Sequence, residues 1–138
     1  MKKMTAEQKK RFGKLAGRTL AVVAVLLVYY VIVKLTGVGI PCAFYLITDK
    51  YCPGCGITRA LMALIEGDLA AAMGYNAYVM VMLLPALVFG AHRAYIYVKS
   101  GEEFSYNAVE KLFLIVAFLL MVVFGVMRNM PEFAFLAP

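Results

Sequence analysis

Three long apolar runs, separated by polar and glycine-rich stretches, organise the chain. The first extends from about Leu15 to Leu35, with an unbroken apolar centre from Leu20 to Val33; the second is centred on Ala77–Ala91, and the third is Leu112–Met127. A helix needs about 20 residues to cross a hydrocarbon core roughly 30 Å thick. The runs reach that length once the second borrows a turn from each flank, so the spacing predicts spanning helices over about 15–35, 76–97 and 109–128. Asn107 as an N-cap and Glu110 in the first turn mark the start of the third. Pro85 is expected to bend the second, and Tyr95 and Tyr97 suit the headgroup level at its end.

Between the first two runs lies a segment, 41–75, that is more than a plain loop and too short to span. Gly37, Gly39 and Pro41 break the first helix. From Ile57 a helical pattern begins, with Ile57, Leu61, Leu64 and Ile65 on one face. Gly67 can take a left-handed C-cap, and Asp68 then serves as N-cap for Leu69–Met73; Gly74 and Asn76 repeat the device before the second span. Two short helices divided by caps describe an interfacial or re-entrant hairpin, whose irregular backbone must be covered by protein or line a wet cavity. The predicted fold is all-α and integral to a membrane. It comprises a basic N-terminal segment (1–14) and a single membrane domain (15–138) of three transmembrane helices plus the hairpin.

Composition agrees with this class: 64% of residues are hydrophobic and 16% charged, against roughly half and a quarter in soluble domains. Charge sets the orientation. The first 18 residues hold seven Lys or Arg and one Glu, an excess that stays on the cytoplasmic side. Three crossings then put the hairpin and the C-terminus outside, and His92, Arg93, Lys99 and Lys111 inside. The net charge of +6 is concentrated at Lys2, Lys3, Lys9, Lys10, Arg11, Lys14 and Arg18, beside a span. Anionic lipid headgroups are therefore the expected partner of this segment, and nucleic acid is not. No small-x-small site follows the first run, and Pro41 before Cys42 is unsuited to a lipoprotein-type site, so that run is read as an uncleaved anchor.

The hairpin holds the candidate chemistry. In Cys52-Pro53-Gly54-Cys55-Gly56 the proline stiffens the turn, the two sulfurs converge, and the following glycine permits dihedrals denied to other residues. This is the shape of a knuckle for zinc or another thiophilic metal, with Cys42 as a third ligand. A fourth is missing from the motif: His92 sits at the other end of the second span, roughly 20 Å away at 1.5 Å per residue. Asp49, Asp68, water or a second subunit would complete the site. The same Cys-x-x-Cys at a helix start also fits thiol exchange, with the helix dipole and Arg59 stabilising a thiolate. A structural bridge, such as one from Cys42 to either of the pair, is the third reading.

Around the cysteines, Thr58, Arg59, Glu66, Asp68, Asn76, Arg128 and Asn129 all fall on or near the outer half, where polar groups pair or face a cavity. Arg59 with the helix start at Ile57 would suit an anion. The closing Arg128-Asn129-x-Pro131 is expected to lie against the cysteine turn. Arg128 would pair with Glu66 or Asp68, and Asn129 would satisfy backbone groups the turn leaves open.

Cys42, the run Cys52-Pro53-Gly54-Cys55-Gly56 with Thr58-Arg59-Ala60, Gly67-Asp68, Asn76 and Arg128-Asn129-x-Pro131 together resemble the bacterial membrane-protein family known as domain of unknown function 2752. The likeness runs from about Pro41 to Pro138. Ala43 and Ala77 stand where members often carry proline. The resemblance implies a bacterial cytoplasmic membrane and an architecture; it implies no activity. No Ser-His-Asp set, phosphate loop or paired carboxylates are found, and no quinone or nicotinamide site that thiol chemistry would need as an electron partner. The expected function is a non-enzymatic membrane module whose outer cysteine motif binds a metal or a partner, such as another membrane protein or a second copy, or forms a structural bridge. The alternative is a membrane thiol-disulfide oxidoreductase using Cys52 and Cys55.

Overall fold

The computed structural model describes residues 4–101 and 105–137; Lys2 and Lys3 of the basic cluster and the terminal Pro138 lie outside them. The described residues form six α-helices and a closing 3-10 helix. These are α1 (Ala6–Thr36), α2 (Ala43–Thr48), α3 (Ile57–Ile65), α4 (Leu69–Tyr75), α5 (Ala77–Ser100), α6 (Ala108–Met127) and the 3-10 helix Pro131–Leu136. Helices α1, α5 and α6 are each long and apolar enough to cross a membrane, and each contains one of the three apolar runs.

Their ends follow from local chemistry. The Asn107 side chain accepts from the Glu110 N–H while Glu110 accepts from the Asn107 N–H, both at 2.8 Å, which closes a reciprocal capping box where the sequence places one. Thr5 and Gln8 form a second such box. It starts α1 at Ala6, well before the apolar run, so much of the basic segment is helical. The cap of α4 is Asp68, whose Oδ1 accepts from the Ala71 N–H at 2.8 Å. Gly67, at φ +85°, takes the left-handed turn out of α3 that a Cβ would strain.

Pro85 lies inside α5, and the chain's two compact units divide directly after it. One unit is the N-terminal segment through Val38 with Ala86–Ser105; the other is Gly39–Pro85 with Tyr106–Pro138. The first contains α1, with an Arg11–Glu7 pair at 3.0 Å along the helix. The second contains every candidate site residue.

Within this second unit the packing is inverted relative to a water-soluble protein. Large apolar side chains face outward, for example Leu84 at 70% and Val109 at 75% exposure, whereas the most deeply buried large side chains are Asn76 at 0% and Arg128 at 2%. Apolar exteriors are compatible with lipid, and backbone and polar groups must then find partners within the protein. The hairpin follows the same rule. Ile57, Leu61 and Ile65 of α3 are exposed; α3 packs against α4, and the buried residues of the two helices are Ala60, Ala63 and Ala72. Small residues let two short helices approach closely, and the apolar stripe is left to face outward.

Candidate functional site: a sulfur triad in a polar cradle

The turn that opens the site is built by Cys52-Pro53-Gly54-Cys55. The Cys55 N–H donates to the Cys52 carbonyl at 3.0 Å and the Ile57 N–H to the Gly54 carbonyl at 3.2 Å, so the chain doubles back and enters α3 at once. Gly56 makes the entry possible at φ +84°, a conformation that other residues rarely adopt. Cys42 is the residue before α2, a short helix that adds a third to the two expected in the hairpin. Asp49 ends α2 in the left-handed region at φ 53°, which Asp tolerates better than most residues, and this reversal returns the chain to Tyr51 and Cys52.

The result is a cluster of three sulfurs. Cys52 Sγ lies 3.3 Å from Cys42 Sγ and 3.3 Å from Cys55 Sγ, and all three sulfurs fall within 4.8 Å of one another. All three are free thiols. A triangle with two sides of 3.3 Å and a third of at most 4.8 Å has an angle at Cys52 of no more than about 93°, and its corners lie within about 2.4 Å of one common centre. Zinc–sulfur bonds measure about 2.3 Å.

The three thiols are not equivalent. Backbone hydrogen bonding at Tyr45 in the first turn of α2, aided by the Cys52 and Cys55 thiols, lowers Cys42 to about 7. Burial, followed by the neighbouring thiols Cys52 and Cys42, pushes Cys55 up to about 12. The thiolate is the reactive form. In metal-free, reduced protein, iodoacetamide should therefore label Cys42 first, with a rate that halves as the pH falls to about 7, while Cys55 stays unlabelled across neutral pH. Peptide mapping by mass spectrometry checks the order.

Three side chains from distant parts of the sequence hold the turn by its backbone. Asn76, at the junction of α4 and α5, donates through Nδ2 to the carbonyls of Pro53 at 2.9 Å and Cys55 at 3.0 Å, while its Oδ1 accepts from the Val79 N–H at 3.0 Å. Arg128, at the end of α6, donates through Nη1 to the carbonyls of Cys52 and Cys55, both at 3.0 Å. Asn129 accepts from the Tyr51 N–H at 2.8 Å and donates to the Tyr51 carbonyl at 2.8 Å and the Gly125 carbonyl at 2.7 Å. The carbonyls of residues 51, 52, 53 and 55 are thus all engaged, as burial requires. Gly125 lets α6 approach the turn: a Cβ there would lie 2.6 Å from Pro53 Cγ.

The Arg-Asn-x-Pro segment accordingly lies against the cysteine turn, with Asn129 in the role foreseen for it. Arg128 differs. The expected pairing with Glu66 or Asp68 is replaced by backbone carbonyls and by two aromatic rings, Phe124 at 4.9 Å and Tyr51 at 5.7 Å from its guanidinium carbon. Its Nε and Nη2 atoms are buried without hydrogen-bond partners. Asp68 is occupied as the cap of α4, and Glu66 is exposed at the end of α3. Thr58 is half-buried in the first turn of α3, and Arg59 beside it is exposed. The guanidinium held at the cysteine turn is therefore Arg128; sequence spacing pointed to Arg59 because it lies one helical turn from Cys55.

These features describe an all-α chain with three helices able to span a membrane and a sulfur triad supported from two of them. Residues 42–91, just over a third of the chain, match the family model described as Protein of unknown function (DUF2752). The matched stretch takes in all three cysteines and Asn76; Arg128 and Asn129 lie beyond it. No curated protein and no solved structure matches the chain.

Proposed function

We propose that this protein is a non-enzymatic membrane module whose cysteine triad holds a thiophilic metal ion, zinc being the leading candidate. One observation carries the reading: three sulfurs from two separate turns converge to within 4.8 Å, so that an ion at their common centre would meet all three near the zinc–sulfur distance. Cys42, Cys52 and Cys55 would hold the ion, which would cross-link α2, the cysteine turn and the start of α3. Exchange among thiols is less well supported, because displacement at a sulfur runs roughly in line with the bond that breaks, and the angle at Cys52 is no more than about 93°. The donor set leaves the fourth position to water or to a ligand from another molecule.

In this reading the N-terminal basic helix lies on the cytoplasmic side of a bacterial inner membrane, against anionic headgroups, and the triad faces outward. Reduced protein purified without chelator should contain about one equivalent of zinc or a similar ion by elemental analysis, and chelation should free three alkylatable thiols. In intact cells treated with a chelator, a membrane-impermeant thiol reagent should reach Cys42. A metal-free preparation with a stoichiometric disulfide would replace the metal site by a structural bridge, and labelling only after permeabilisation would reverse the orientation.

A further inference from the structure

We infer that Arg128 is the charge partner of the triad, so that the site selects a divalent ion over a monovalent one; this rests on the metal-site reading above. Arg128 is among the most deeply buried side chains of a chain whose exterior is apolar, and two of its guanidinium nitrogens lack hydrogen-bond partners. A buried, uncompensated cation is costly, and an ionisable group at such depth is expected to have a nearby partner of opposite sign. Carbonyl dipoles and ring faces are its only partners among the described residues, so no full negative charge offsets it. The guanidinium donates to the carbonyls of Cys52 and Cys55, two of the three ligand residues, so its charge is held at the turn that carries them.

Charge balance then distinguishes the ions. Three thiols binding a divalent ion release three protons and form a tris-thiolate centre of charge −1, which Arg128 neutralises. A monovalent ion such as copper(I) on the same three thiolates gives −2 and leaves one negative charge buried without compensation. Copper(I) reaches neutrality with Arg128 only by using two sulfurs, with the third cysteine left protonated. Arg128 thus acts as a positioning and specificity residue, coordinating nothing itself.

The test uses full-length protein in detergent, with cobalt(II) as the probe. Arg128→Gln keeps a donor for one carbonyl and loses the charge; Arg128→Lys keeps the charge. The glutamine variant should bind cobalt(II) about 10- to 100-fold more weakly, the scale on which outer partners of metal ligands act. Its sulfur-to-metal charge-transfer band should move to longer wavelength, because the thiolate electrons lie higher without the nearby cation, and lysine should restore the band position. Wild-type protein supplies a readout independent of variant folding: the zinc-loaded form should show no reactive thiol, and the copper(I)-loaded form one. Equal affinity and band position in wild type and Arg128→Gln, or copper(I) protecting all three thiols, would overturn the inference while leaving the metal site in place. Failure of wild type to bind cobalt(II) or zinc at all would overturn both.

Discussion

Replacing Cys52 by serine should abolish metal retention. Cys52 is the corner shared by both 3.3 Å sulfur contacts, and its removal leaves Cys42 and Cys55 as an isolated pair up to 4.8 Å apart. A hydroxyl is a poor substitute for a thiolate on a soft ion. The loss in affinity should exceed the roughly 10- to 100-fold that removal of an outer partner costs. Cys55→Ser should lose metal to a similar degree, and the double variant should be little worse than either single one, because the sulfurs act as one unit. Competition against a chromophoric zinc chelator measures all three. Additive losses from Cys52→Ser and Cys55→Ser would separate them into independent thiols and remove the triad as a site.

Asn76→Ala should be the most destabilising single change outside the cysteines. It leaves the Pro53 carbonyl without its side-chain donor, halves the support of the Cys55 carbonyl and removes the cap on the Val79 N–H. Buried groups left unpaired cost about 1–3 kcal/mol each and a lost cap about 1. A total of about 3–5 kcal/mol is expected, read as a fall in the thermal or denaturant midpoint of the micellar protein. Asn76→Asp separates the contributions. It retains an acceptor for Val79 but turns a carboxylate toward two carbonyl oxygens, so it should be at least as damaging as alanine. An Asp variant of near wild-type stability would mean that the bonds to Pro53 and Cys55 contribute little.

The three spans and their caps were legible in the sequence because each depends on residues adjacent in the chain. Leu112–Met127 is apolar enough to need no tertiary argument, and Asn107 with Glu110 announces its start. The start of α1 at Ala6 is written in the same way, in the capping box of Thr5 and Gln8, nine residues before the apolar run begins at Leu15. Helix α2, by contrast, is hidden. Its six residues, Ala-Phe-Tyr-Leu-Ile-Thr, are too few for a helical period to emerge, and its C-terminal reversal uses Asp49 where a glycine would have been the clearer signal.

The cysteine cluster was half legible. The pairing of Cys52 with Cys55 is written in their spacing, whereas the approach of Cys42 depends on α2 and its reversal. The cradle was least legible, because its acceptors are backbone carbonyls, which every residue possesses and no side-chain pattern reveals. Side-chain patterns therefore point Arg128 to a carboxylate and the cysteines to Arg59, whereas the actual acceptors of Arg128 are the carbonyls of Cys52 and Cys55. Likewise, α3 turns Ile57, Leu61 and Ile65 outward, and alanines rather than leucines mark its packed side.

The separation in sequence between the triad and its support has a consequence for biosynthesis. Arg128 meets Cys52 across 76 residues, and a ribosome adding about 5–20 residues per second needs about 4–15 s to make that length. Throughout this interval the nascent chain carries all its sulfurs without the α6 groups that hold their turn. The cradle can close only after α6 has been made, so the site is completed late in synthesis. A product truncated before Arg128 would retain every thiol and lack that support, leaving the sulfurs open to adventitious oxidation.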